Sequence, residues 1–236
     1  MLKIEQLRIA YEKFGVEIEG ATFSGGLNIV LGPNGGGKST LMRGIIGYDE
    51  PGIKVRRIYW DDDPLNGVQD TISYLPQENP RFKISVADYL TMTSERVSGS
   101  AYSAAVERFD ISHLTNQSIE NLSGGEFKRV QCAQLSIEEK PVIMIDEIEQ
   151  GLDLKYQHEM MQWLRREAPF RTIITSMHDA SLALTYADTI TLVRGGRITG
   201  PMSPSAVTSE MLSVCYDLPL EVERRSGSAL VYHRRL

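Results

Sequence analysis

The sequence contains no run of 18 or more apolar residues, and so no segment able to span a bilayer as a helix. Nor does it start with the apolar core of an export signal, since Met1, Leu2, Lys3, Ile4 and Glu5 alternate apolar with polar. The expectation is a chain that neither crosses a membrane nor is exported by the usual signal. Cysteine is scarce: Cys132 and Cys215 stand far apart and match no metal-site spacing, which suggests reduced structural thiols in a cytoplasmic protein. Positive charge is in deficit, with 25 Lys and Arg against 31 Asp and Glu, a net charge of -6 and a pI near 5.3. That balance argues against broad electrostatic binding to DNA, RNA or anionic lipid, so any anion must be held locally. The basic pairs Arg224–Arg225 and Arg234–Arg235 are expected to be solvated tail charges. Internal repeats and low-complexity segments are absent too.

What is present suits a folded enzyme-sized domain. With 236 residues and 42% apolar content the chain can bury a real core, as one globular domain with a subdomain. Apolar alternation predicts a strand over 2–11 (Leu2, Ile4, then Leu7, Ile9), a second over 16–19 and a more apolar third over 27–31. Gly25 and Gly26 supply turn chemistry before the third. A four-glycine loop follows, then a helical stretch over 39–46 closed by Gly47 and by Pro51 with Gly52. From about Lys83 to Glu139 the text turns helical, with Ser85 and Asp88 resembling a capping box and 100–109 a second candidate helix. Alternation then returns: strand 142–145, helix 153–168, strand 172–175, helix 180–187, strand 190–193. Strands alternating with helices imply an α/β fold with a mostly parallel sheet. The acidic run Asp61–Asp63 before Pro64 reads as a solvated turn and not as a metal site.

The loop Gly32-Pro33-Asn34-Gly35-Gly36-Gly37-Lys38-Ser39-Thr40 fits the pattern G-x-x-x-x-G-K-[ST]. Its glycines let successive N–H groups turn inward around phosphates, and the following helix aims its positive end at the same charge. Lys38 is placed to reach the β- and γ-phosphates, the Ser39 hydroxyl to ligate Mg²⁺, and Thr40 to serve the α/β-phosphate region. Charge-assisted hydrogen bonds contribute about 1.5–3 kcal/mol each, so such a nest binds a polyphosphate without any basic surface. A glycine-rich turn of no function is the alternative, and the strand before and helix after weigh against it. Val142-Ile143-Met144-Ile145-Asp146-Glu147 then sets two carboxylates at the carboxyl end of a buried strand, where ligands gather in open α/β sheets. Asp146 is expected to hold Mg²⁺, and Glu147 to polarise the attacking water as general base.

Leu122-Ser123-Gly124-Gly125-Glu126 resembles the signature segment of ATP-binding-cassette proteins. Ser123 and Glu126 also form a capping box for a helix running toward Ile137. Two glycines in a first turn weaken a helix by about 1 kcal/mol each relative to alanine, so stability alone does not account for them. The resemblance extends over essentially the whole chain. It implies a P-loop NTPase (RecA-like) core with an antiparallel β subdomain, residues 1–82 and 140–236, and an inserted helical subdomain, residues 83–139, carrying the signature. It further implies ATP and Mg²⁺ as ligands and a pair of cassettes in which Ser123, Gly124, Gly125 and Glu126 cap the γ-phosphate bound by the opposite subunit. By the same resemblance Asn34, Gly35, Gly36 and Gly37 line the phosphates. Gln77 senses Mg²⁺ and couples to the helical subdomain, Asp153 is the inter-subunit loop aspartate or a helix N-cap or both, His178 is the switch histidine, and Tyr11 stacks on adenine.

One departure is visible. Cassette ATPases of transporters usually read Asp-Glu-Pro-Thr, whereas this chain reads Asp146-Glu147-Ile148-Glu149 with the spacing to Asp153 preserved. Losing proline is expected to loosen the backbone after Glu147. Ile148 and Gly151 are similar to the ATPase of iron–sulfur cluster assembly. The stretches 152–158 and 177–188 and the C-terminal run 208–222 instead resemble the ATPases that drive import of iron–siderophore, haem or cobalamin complexes. The helical insert of the assembly ATPase is usually longer, so the importer is the favoured reading. It implies integral membrane permease partners, a place at the inner face of the cell membrane, and no nucleic acid.

Overall fold

The computed structural model describes residues 1–47, 51–93 and 97–233. Arg234 and Arg235 therefore lie outside the described residues. The chain opens with β1 (Leu2–Ala10) and β2 (Gly15–Phe23), paired antiparallel with Leu2 opposite Phe23 and Ile9 opposite Val16. The apolar phase of β1 jumps between Ile4 and Leu7, and its pairing with β4 (Ile53–Trp60) shifts register between Ile4 and Gln6. A bulge there lets Leu2, Ile4, Leu7 and Ile9 all face inward. Between these lie β3 (Gly26–Leu31) and α1 (Lys38–Ile46). A short β5 (Asp63–Pro64) completes a four-stranded sheet in the order β2-β1-β4-β5. Asp61 and Asp62 form its last turn in left-handed conformation, as the acidic run suggested.

The second sheet begins at β3 and continues with β6 (Ile72–Leu75). Helices α2 (Val86–Thr91), α3 (Gly99–Arg108) and α4 (Gly124–Ile137) follow, with two short 3-10 turns between the last two. Alternation then resumes: β7 (Val142–Ile145), α5 (Leu154–Glu167), β8 (Thr172–Met177), α6 (Ala180–Tyr186), β9 (Thr189–Arg194) and β10 (Arg197–Met202). The order is β10-β9-β3-β8-β7-β6, parallel throughout except for the antiparallel edge strand β10. Strands β3, β7 and β8 are buried along their whole length, as expected of a parallel sheet covered on both faces. Val142 and Met144 pack with α1 and the antiparallel sheet, while Ile143 and Ile145 pack with the helices of the other side. The central sheet is thus a septum between two cores.

The chain ends with α7 (Ser209–Tyr216) and a hairpin of β11 (Leu220–Arg225) and β12 (Ser228–His233). The hairpin is pinned to α6, where Ala229 and Val231 donate their N–H groups to Thr185 Oγ1 at 3.0 Å and Ser181 Oγ at 2.9 Å. Arg224 is exposed, as expected of a solvated charge, and its guanidinium also donates to the Pro204 and Val207 carbonyls. Both cysteines are buried free thiols, and burial pushes the Cys132 thiol up to about 12. Among the described residues no helix is long and apolar enough to cross a membrane.

Candidate nucleotide-binding and hydrolysis site

Because β3, β6, β7 and β8 run parallel, the segments that follow them emerge at one edge of the sheet. The glycine loop follows β3, Gln77 follows β6, Asp146 and Glu147 follow β7, and His178 follows β8. Four separate stretches of sequence so converge on a cleft of about 890 Å³, within the usual size of a small-ligand site. Asn34, Gly35, Gly37, Lys38, Ser39 and Thr40 form one wall of it, and Gln77, Glu147, Glu149 and His178 the other.

The loop is built for close approach. Gly37 sits at the N-cap of α1 with φ 113, a left-handed value costly for residues with a Cβ, and an added Cβ would crowd the Phe14 ring at 3.1 Å. No side chain caps α1, whereas Ser85, Ser98, Ser123, Asp153, Asp179 and Thr208 cap α2 to α7. The N–H groups opening α1 remain available to an anion. Gly36 is not among the residues lining the cleft; its carbonyl accepts from Gly196 N–H at 3.0 Å. Lys38 is buried, with Nζ donating to the carbonyls of Gly32 at 2.8 Å and Pro33 at 3.2 Å. Burial lowers its proton affinity, against the opposing pull of Glu147, Asp146 and Glu149.

The opposite wall centres on Glu147. Its carboxylate accepts from Gln77 Nε2 at 2.8 Å and lies 2.7 Å from His178 Nε2. Its main chain is held at both ends, the N–H donating to Ser176 Oγ at 2.8 Å and the carbonyl accepting from Lys128 Nζ at 3.0 Å. Glu147 has φ 53, a strained value for a residue with a Cβ, and these bonds keep it there. Ile148, 1% exposed, anchors the next residue in the core. The loosening expected from the missing proline is therefore not what the structure has: packing and two hydrogen bonds constrain this turn. Asp146 is buried just behind, its carboxylate accepting from the Ser176 hydroxyl and its N–H donating to the Leu75 carbonyl at 2.8 Å.

Ser176 and Lys128 escaped the sequence reading. Ser176 binds both acidic residues yet is one hydroxyl in an apolar strand. Lys128 follows the signature by two residues and is buried, which lowers its proton affinity against the pull of Cys132, Glu149, Asp146 and Glu147. A lysine in an otherwise buried helical run was the available signal. The aromatic facing the phosphate cleft is Phe14, which was also missed, whereas Tyr11 lies in the adjoining hollow with Glu12, Lys13, Pro51 and Gly52. Phe14 borders both.

Ser123, Gly124, Gly125 and Glu126 do not line the phosphate cleft. They form the exposed start of α4, where Ser123 N–H donates to Glu126 Oε2 at 2.8 Å and Glu126 N–H to Ser123 Oγ at 3.3 Å. Hydrogen bonds from the Ser123 side chain and main-chain N–H hold the Glu126 carboxyl below the usual range. Gly125 has a steric reason inside the chain, since a Cβ there would lie 3.1 Å from the Gly151 carbonyl oxygen. Gly124 has none, as a Cβ would meet nothing within 4 Å. Asp153 caps α5, accepting from Tyr156 N–H at 3.0 Å, and stays exposed.

Comparison with known proteins gives the same reading from another direction. The family model described as "ABC transporter" matches residues 17–150. The hemin import ATP-binding protein HmuV of Streptomyces coelicolor is 31% identical over 241 residues, covering 94% of this chain and 84% of that protein. An iron chelatin transport ATP-binding protein of Helicobacter pylori strain 26695 is 28% identical over 223 residues, 86% of this chain and 87% of that one. In fold, an inward-facing ABC transporter of metal-chelate type superposes with a TM-score of 0.81 at 22% identity, covering 100% of this chain and 97% of that chain. A bacterial ABC transporter cassette solved as a dimer gives 0.76 at 18% identity, over 86% of this chain and 99% of that one. With its glycine loop, acidic strand end and signature helix, the chain belongs to the ABC transporter family as an ATP-binding, ATP-hydrolysing component.

Proposed function

We propose that the chain is the ATPase of an importer for haem or another iron chelate, working as a pair of cassettes beneath membrane permease subunits at the inner face of the cell membrane. The substrate class is taken from the HmuV and iron chelatin relatives, which support the importer over the cluster-assembly reading. ATP enters the cleft with its phosphates on the loop 34–37, the uncapped start of α1, Lys38 and Thr40. Lys38 exchanges its two carbonyl partners for phosphate oxygens. Tyr11 and Phe14 flank the region left for adenine.

Ser39 and Gln77 line the cleft and Asp146 is buried just behind it; all three carry oxygen, the chemistry a hard cation requires. Among the described residues no group of three or more His, Cys, Asp or Glu forms a cage, which suits a cation held largely by phosphates and water. A Mg²⁺ held by these residues would supply neutralisation of the phosphate charge. Glu147 accepts the proton of the attacking water, which bonds to the γ-phosphorus as the bond to ADP breaks. His178, beside Glu147, contacts the γ-phosphate, and Gln77 links the cleft to the helical subdomain and its permease contact.

The observation carrying this reading is that the cleft and the signature lie on separate parts of one chain, each open. Gly124, with no neighbour to require it, makes sense if Ser123 to Glu126 and Asp153 cover the nucleotide of a second copy. The test is ATP turnover across a dilution series with mass measured in parallel. Specific activity should collapse as the pair dissociates; undiminished activity in monomeric samples contradicts the pairing. Loss of the gene should also abolish uptake of labelled haem or iron chelate, and unchanged uptake of both contradicts the cargo.

A further inference from the structure

The turn after β7 carries a third carboxylate that the reading above leaves without a task. Glu149 borders the phosphate cleft within electrostatic range of Lys38 and Lys128. A negative charge there works against polyphosphate binding, so its presence calls for an offsetting role. One oxygen accepts a hydrogen bond from the main-chain N–H of His178, while the other is buried with no hydrogen-bond partner. Its own main chain is fixed, because the Glu149 carbonyl accepts from Leu152 N–H at 3.2 Å and from Gln157 Nε2 at 3.4 Å. The side chain is thus a strut from the turn after β7 to the turn after β8.

We infer that Glu149 is a positioning residue: its carboxylate clamps the His178 main chain to the turn that carries Glu147, and so sets the contact between the His178 imidazole and the Glu147 carboxylate. The His178 side chain is 38% exposed, so packing alone does not fix its ring, and its aim follows from where the main chain is held. The 2.7 Å separation of Nε2 from Glu147 Oε1 has little tolerance, since both groups end on flexible side chains leaving different strands. A threonine or alanine at 149 is too short to span the two turns. Glutamine keeps an acceptor oxygen and removes the charge.

The inference rests on Glu147 and His178 acting together in hydrolysis, and a double-mutant cycle separates the two claims. Single-turnover ATP cleavage is measured for wild type, Glu149→Ala, His178→Ala and the double variant, with nucleotide Kd by calorimetry. Glu149→Ala should lower the cleavage rate about 10- to 100-fold with no loss of nucleotide affinity, and should add nothing further once His178 is alanine. Glu149→Gln should restore most of the rate and bind nucleotide more tightly. Equal losses from Glu149→Ala in both backgrounds would overturn the clamp while leaving the hydrolytic pair standing. A His178→Ala enzyme as fast as wild type would overturn the pair and the clamp with it. A Glu149→Gln enzyme as slow as Glu149→Ala would overturn the clamp by showing that charge, not the acceptor, matters. If Glu149→Ala does not fold, Glu149→Thr in both backgrounds provides the same comparison.

Discussion

Replacing Ile148 with the proline usual at this place in transporter cassettes is expected to damage the enzyme. A proline drives the residue before it toward extended backbone with φ near -120°, by clash with its Cδ. Glu147 stands at φ 53. To accept proline at 148 it must leave that conformation, which breaks the 2.8 Å bond to Ser176 Oγ and the 3.0 Å bond from Lys128 Nζ. Losing buried hydrogen-bond partners costs about 1–3 kcal/mol each, so about 2–6 kcal/mol together. Relief of the left-handed strain returns only about 1–2 kcal/mol. The carboxylate then no longer meets Gln77 and His178, and the general-base contribution of about 10²–10⁴ in rate is at stake. Ile148→Pro should therefore lower kcat at least tenfold, with nucleotide Kd little changed because the phosphate loop follows a different strand. Ile148→Val, costing about 0.5–1.5 kcal/mol of stability, should keep its kcat. Steady-state phosphate release beside calorimetric ATP binding decides the matter: an Ile148→Pro enzyme as fast as wild type refutes the argument.

Glu147→Gln preserves the shape of the side chain and an acceptor for Gln77, so it should bind ATP normally, lose about 10²–10⁴ in turnover and accumulate a closed pair visible by light scattering. Normal turnover with unchanged mass would remove Glu147 from the mechanism. Lys38→Ala should weaken ATP binding in calorimetry, and unchanged affinity would mean that Lys38 meets no phosphate. Gly124→Ala should stabilise isolated α4 by up to about 1 kcal/mol, since nothing lies near the added methyl, yet slow ATP turnover by crowding the partner's nucleotide. A more stable and equally active variant would show that the signature meets no ligand. Folded Lys128 releases its proton at lower pH than in the unfolded chain, so its share of stability improves as pH rises toward the ordinary lysine value of 10.5. The slope of Tm against pH in that alkaline range should flatten in Lys128→Met, and an unchanged slope would count against a buried charge.

Much of this fold is legible in the sequence because its central strands are buried on both faces. Val142–Ile145 is a continuous apolar run that ends at Asp146, so the strand and the acidic pair announce each other. The phosphate loop is legible for a similar reason: glycine spacing and the lysine are local, and the flanking strand and helix have opposite periodicities. Strand β4 is harder to see, since Ile-Lys-Val-Arg-Arg-Ile-Tyr-Trp is half-buried on a curved sheet and its charged residues interrupt the alternation. The C-terminal hairpin is obscured because Glu-Val-Glu-Arg-Arg looks like solvated chain, whereas Arg224 is bonded to two carbonyls. Within the site, what stayed hidden is what acts across the sheet. Ser176 joins two acidic residues 29 and 30 positions away, and Lys128 reaches a carbonyl 19 positions away. Neither distance leaves a mark in local pattern. Tyr11 and Phe14 could not be separated by composition, and only the turn between β1 and β2 brings the latter against Gly37.

The electrostatics of the cleft show why an acidic protein can hold a polyphosphate. A net charge of -6 repels anions at long range, but over roughly 8–10 Å of salt solution such repulsion is largely screened. Around the cleft the balance is no more favourable on charge alone, for Asp146, Glu147 and Glu149 all lie within electrostatic range of Lys38 and Lys128. Both lysines are buried and already engaged, Lys38 with the Gly32 and Pro33 carbonyls and Lys128 with the Glu147 carbonyl. What the site offers in excess is oriented N–H groups: a loop turned inward by glycine and a helix start that no side chain occupies. These donors are fixed before the ligand arrives and are not neutralised by the carboxylates opposite. On the proposed reading, selectivity for a chain of phosphates over a lone charge follows, because an extended anion spans the loop, Lys38 and the start of α1 together.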